Sequence, residues 1–180
     1  SNASDAGFKA RAINEYNRIA RWVQGHVDLD KARVMDFGCG VGIAASSFAL
    51  RHPESIVYGC DIVDADRAVL TKMLKQQTGL DLPSNFRMEK ISEDNIALDE
   101  KFDLIFAWSV CEHINEKELP QVFSRIRKSL APEGRLFLQV NPLYFSSRGS
   151  HLYGAFEEPW HHLLLNIAEL HDRLFESHGA

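Results

Sequence analysis

The run Val34-Met35-Asp36-Phe37-Gly38-Cys39-Gly40-Val41-Gly42 does most to limit what this 180-residue chain can fold into. Val34, Met35 and Phe37 read as a buried strand, three alternating glycines as a turn, and Ile43 to Leu50 as the start of a helix. Glycines suit such a turn because it needs unusual backbone angles and lets a ligand come close to the main chain. The first helical turn then offers unpaired N–H groups, so a polar or anionic group is expected above it.

Two ligand classes compete for that position. A dinucleotide fingerprint wants glycine at its first, third and sixth places, and from Gly38 these fall on Gly38, Gly40 and Ile43. Asp36, at the end of the strand, would also repel a pyrophosphate. An acid there suits a ligand that carries an ammonium beside a carboxylate. The stretch Asp36-x-Gly38-x-Gly40-x-Gly42 resembles motif I of class I S-adenosylmethionine-dependent methyltransferases. The resemblance implies S-adenosylmethionine as cofactor, S-adenosylhomocysteine as product, and Asp36, Gly38, Cys39 and Gly40 as cofactor contacts. A catalytically silent S-adenosylmethionine-binding module and an NAD-dependent oxidoreductase are the alternative readings.

The rest of the chain is read around that turn as a single domain. Ser1-Asn2-Ala3 reads as the remnant of a cleaved tag; residues 4–29 carry an N-terminal helix, 32–141 the cofactor-binding core, and 142–180 an aromatic loop and a last helix. On the first helix, spanning Ser4 to Gly25, residues Phe8, Ala12, Tyr16, Ile19 and Val23 share a face. It either packs on the sheet or closes over the cofactor as a lid. Ser55 to Asp61 is a second strand, and its closing acid, about twenty residues past the glycine turn, is placed to accept hydrogen bonds from a ribose diol. Ile62 then follows as an apolar wall beside adenine. A helix from Asp66 to Thr78 is expected to bury Val69, Met73 and Leu74 and to stop at Gly79.

The third strand spans Phe86 to Ile91. In the family an acid after this strand bonds the adenine amino group; here that place falls on Ile91, so the backbone of Ile91 and Ser92 is expected to meet the adenine, with Glu93 or Asp94 as substitute acids. Lys101 to Trp108 is a strand buried on both faces. Trp108 to Val110 leave the carboxyl end of this strand, where open α/β sheets bind ligands, and Trp108 is assigned to the cofactor. The Glu112-His113-Ile114 segment resembles the fourth motif of small-molecule methyltransferases related to the ubiquinone and menaquinone enzymes. His113, near the carboxyl end of this strand, is the candidate general base, and it reads more readily as a helix-start histidine bonded to backbone. Pro120 opens a helix with Val122, Phe123, Ile126 and Leu130 inward, Ala131 to Gly134 turn, and Arg135 to Val140 form a fifth strand. The resemblance runs from Arg33 to Asn141 and implies a Rossmann-like α/β fold, a doubly wound, mainly parallel sheet of order 3-2-1-4-5 with helices on both faces.

Beyond Asn141 the chain turns aromatic, and Leu163 to His178 return to a helical pattern with Leu164, Ile167, Leu170, Leu174 and Phe175 as its apolar residues. In the family a final strand pair follows such a helix; here that pair is expected to be missing or truncated. Strand five would then keep an open edge on which a second chain can pair. Five of the eight histidines lie in this tail, but adjacent His161 and His162 point to different faces and no HxxxH or HxxE spacing appears, so no metal site is expected. Cys39, Cys60 and Cys111 show no CxxC pairing and read as small buried hydrophobes in a reducing cytoplasm. A net charge of -5 with no Lys/Arg cluster argues against nucleic acid, and no apolar run reaches the length of a membrane span. These features predict a cytoplasmic protein, and the family resemblance implies methyl transfer to an oxygen, nitrogen or carbon atom of a small molecule.

Overall fold

In the computed structural model of the chain, residues 5–64, 66–92, 100–150 and 156–178 are described. Helix α1 (Asp5–Val23) leads into the sequence β1 (Arg33–Phe37), α2 (Ile43–Arg51), β2 (Ile56–Asp61), α3 (Arg67–Thr78), β3 (Phe86–Lys90) and β4 (Phe102–Trp108). A 3₁₀ turn (Cys111–His113), α4 (Leu119–Ser129) and β5 (Leu130–Gln139) follow, and then α5 (His161–Leu164) and α6 (Ile167–His178). Among the described residues the five strands form one all-parallel sheet of order β3-β2-β1-β4-β5, the order expected.

Strand alternation divides the core into two layers. Val34, Val57, Phe86 and Leu104 pack with Ile19 and Val23 of α1, Phe48 of α2 and Leu70 and Leu74 of α3. Met35, Tyr58, Phe102 and Ile105 face the other way, against Val122 and Ile126 of α4. Asp103 has a structural role: its carboxylate accepts the backbone N–H of Arg33 at 2.8 Å and so ties β1 to β4 where both strands begin.

Local chemistry sets the element ends. Asp66 caps α3 by accepting the Ala68 N–H at 2.8 Å, and Gly79 ends it in left-handed backbone, φ 73°. The face of α3 differs from expectation. Leu70 and Leu74 are buried while Val69 is 47% exposed, because Leu70 fills the space that a side chain at Gly42 would occupy. Strand β5 also begins earlier than Arg135. Leu130 already pairs with Phe102 and Arg135 with Leu104, so residues 131–134 form a bulge within the strand. Gly134 is required there, since an added Cβ would lie 2.5 Å from the Phe102 carbonyl oxygen.

Residues 140–180 form a second compact unit. Its helix is broken at Leu165-Asn166, where Asn166 and Glu169 make a reciprocal capping box: the Glu169 N–H donates to Asn166 Oδ1 at 3.0 Å, and the Asn166 N–H to Glu169 Oε2 at 2.8 Å. The apolar residues of that pattern are largely exposed, Ile167 at 86% and Phe175 and Leu164 with it. A segment of about forty residues has too little apolar surface to cover both faces of such a helix. Among the described residues no helix is long and apolar enough to cross a membrane.

Candidate functional site

The strand order reverses between β1 and β4, and that is where an open parallel sheet leaves a crevice at its carboxyl ends. The turn after β1 enters it with Gly38, Gly40 and Gly42 all at positive φ (76°, 55° and 83°). Gly38 and Cys39 donate their N–H groups to the Cys60 carbonyl at 2.8 and 3.1 Å, which sets the turn against the end of β2. Asp61 closes β2 and holds the turn from the other side: Oδ2 accepts the Gly40 N–H at 2.7 Å and Oδ1 the Val63 N–H at 2.9 Å. A carboxylate offers about four acceptor positions, so two remain for a ligand.

A cavity of about 250 Å³ opens beside this turn. It brings together Gly38, Asp61, Ile62, Ile91 and His113 from the sequence reading. Ser109 and Val110, which follow β4 and leave the carboxyl end of that strand together with Trp108, complete the wall. Their signal was positional only, two residues leaving a buried strand at the switch point. The lining is mostly apolar with one acid, as a nucleoside site needs. His113 belongs to the 3₁₀ turn, and its N–H donates to the Val110 carbonyl at 2.9 Å.

The remaining candidates lie around the cavity. Cys39 lines a neighbouring cleft of about 520 Å³, which shares Asp61 and Val63 with the cavity, with Met88 and Glu89. Gly40 faces the cavity only through its bond to Asp61, and Ser92 is exposed just beyond β3. Trp108 is not in the cavity wall; its ring packs on Trp22 of α1 with centroids 5.5 Å apart. Position at a strand end did not fix its direction, because alternate residues of a strand point to opposite faces. Glu93 and Asp94 lie outside the described residues.

Asp36 sits behind the turn on the α1 and α2 side, only 4% exposed. Burial lifts its carboxyl well above the ordinary range, Glu15 of α1 adds to the rise, and Asp61 contributes less; a hydrogen bond from the Ala45 backbone opposes the shift. Glu15, on α1, is thus close enough to Asp36 to act on its charge, which the helical pattern alone did not show. A desolvated carboxylate is held in its charged form more easily when a positive group lies near it. The thiols are poor nucleophiles: burial, then Asp36, Glu89 and Asp61, push Cys60 up to about 12, and burial with Asp36 and Asp61 pushes Cys39 higher still.

A methyltransferase-domain family model matches residues 9–179. The chain belongs to this methyltransferase family. The ubiquinone biosynthesis O-methyltransferase of Neisseria meningitidis serogroup A is 30% identical over 139 residues, covering 76% of this chain and 56% of that protein. The trans-aconitate 2-methyltransferase of Deinococcus radiodurans is 33% identical over 109 residues, covering 61% of this chain and 38% of that protein. This methyltransferase domain thus spans about half the length, or less, of the curated relatives it matches. The structure of PKMT2 from Rickettsia typhi shares its fold, with a TM-score of 0.56 and 22% identity over 69% of this chain and 25% of that one. The resemblance first read from the Asp36 to Gly42 stretch is therefore a true family relationship.

Proposed function

We propose that this methyltransferase domain binds S-adenosylmethionine and directs its methyl group to an oxygen, nitrogen or carbon atom of a small-molecule acceptor. The observation that carries the reading is the cavity where Gly38, Asp61, Ile62 and Ile91 converge at the switch point. Support comes from relatives named as O-methyltransferase and trans-aconitate methyltransferase, and from a fold neighbour solved in complex with S-adenosylhomocysteine. The residues present fit the cofactor. Asp61 has acceptor capacity left for a ribose diol, Ile62 and Ile91 form apolar walls for adenine, and Asp36 with Glu15 offers negative charge to an ammonium.

When bound, the sulfonium supplies an activated methyl group, so the protein mainly provides position and alignment. The glycine turn lets the ligand lie against the main chain, and the apolar walls exclude water. His113, on the cavity wall, would take the proton from an acceptor that must lose one. The three free thiols suit a cytoplasmic setting, and the outer edge of β5, paired only to β4 among the described residues, suits addition of a second copy.

Calorimetric titration with S-adenosylhomocysteine, with NAD as control, tests the reading. Selective binding of the first is expected. NAD binding alone would replace the reading with an oxidoreductase, and cofactor binding without turnover on any acceptor would favour a silent binding module.

A further inference from the structure

Ser109 follows the last residue of β4 with φ 55°, left-handed backbone that few residues other than glycine adopt. Such strain persists only where the surroundings over-determine it, and it collects at ligand sites. Here Gln139, the last residue of β5, restrains it twice. The Ser109 N–H donates to the Gln139 carbonyl at 2.9 Å, as the last rung of the ladder. The Ser109 hydroxyl donates to Gln139 Oε1 at 2.8 Å. The next residue, Val110, is thereby set onto the glycine turn: a Cβ on Gly38 would fall 2.7 Å from Val110 Cγ1 and closer still to Cγ2. Ser109 and Val110 both line the cavity, whereas Gln139 is outside that lining.

Building on the cofactor reading above, we propose that Ser109 and Gln139 are a positioning pair. Their side-chain bond holds the left-handed turn that keeps Val110 against Gly38, and so fixes how closely a nucleoside approaches the glycine turn. Gln139 acts through Ser109 and does not touch the ligand.

The test is S-adenosylhomocysteine affinity by calorimetry, with melting temperatures alongside. Ser109→Ala keeps the strained angle without its restraint and is expected to bind about tenfold more weakly, the loss of one well-placed hydrogen bond. Ser109→Gly should stay within about threefold of wild type, because glycine adopts positive φ without strain. Gln139→Leu should match Ser109→Ala, and the double variant should lose no more than either alone. Unchanged affinity in Ser109→Ala and Gln139→Leu with lowered melting temperatures would show a merely structural clamp and overturn the proposal. An equal loss in Ser109→Gly and Ser109→Ala would overturn it too. Folded wild-type protein that binds no S-adenosylhomocysteine would instead overturn the cofactor reading, and the clamp's role with it.

Discussion

Adjacent strands β1 and β2 each carry an acid near the carboxyl end, and the two acids live differently. Asp61 is half-buried and spends its charge on two backbone N–H groups, so it braces the glycine turn even without a ligand. Asp36 is buried, faces Glu15, and has its carboxyl pushed up by desolvation. The comparison teaches that one residue type at neighbouring strand ends serves two ends. One acid is built into the structure of the turn, while the other is held at a cost that a cation in the site would relieve.

The largest test of this difference is Asp36→Asn. It should weaken S-adenosylhomocysteine binding by about 3 kcal/mol, the upper range for a hydrogen bond to a charged group, while raising the melting temperature of the ligand-free domain at neutral pH. Lowered stability together with retained affinity would remove Asp36 from the ammonium site. Asp61→Ala should do the reverse on stability. Two backbone N–H groups lose their acceptor, so the melting temperature falls, and affinity drops by about 2 kcal/mol. If titrations of this variant match wild type, the ribose assignment fails.

Denaturant melts against pH provide a third, smaller effect. The folded-state pKa of Asp36 lies above its unfolded value, so above about pH 4 the unfolded chain releases this proton first. Its contribution to stability is therefore complete at low pH and is lost as pH rises through the folded value. The difference between wild type and Asp36→Asn should widen over that rise; a constant difference would mean that Asp36 is not shifted. Smallest of all, Glu15→Gln should shift the pH at which Asp36 loses its contribution slightly downward, by removing a like charge that raises the Asp36 carboxyl. An unmoved pH profile would show that Glu15 does not act on Asp36.

Much of the fold was legible in the residues because local signals agreed with one another. The apolar run before Gly38, the acid closing β2, Asp66 before α3 and Gly79 after it each specify backbone conformation over a few residues, and parallel strands joined by helices leave few topologies. The tail read less well. Asn166-x-x-Glu169 is a legible capping box that was passed over in favour of helical periodicity, which continues across the break and cannot by itself say where a helix starts. Periodicity points Val69 inward because it gives a stripe but not its rotation against the sheet, and only the contact of Leu70 with the glycine turn settles that.

The sequence by itself determined the strand–glycine–helix turn and the place of Asp61 at the end of β2, since these depend on backbone preferences and short spacing, while the order of the sheet followed from the family resemblance. Tertiary structure alone decided that Asp36 is desolvated beside Glu15, that Trp108 turns to Trp22, and that Gln139 holds Ser109 in left-handed backbone. Each of those depends on groups far apart in the chain. Charge burial and side-chain direction are properties of the packed whole, which no short window of residues contains.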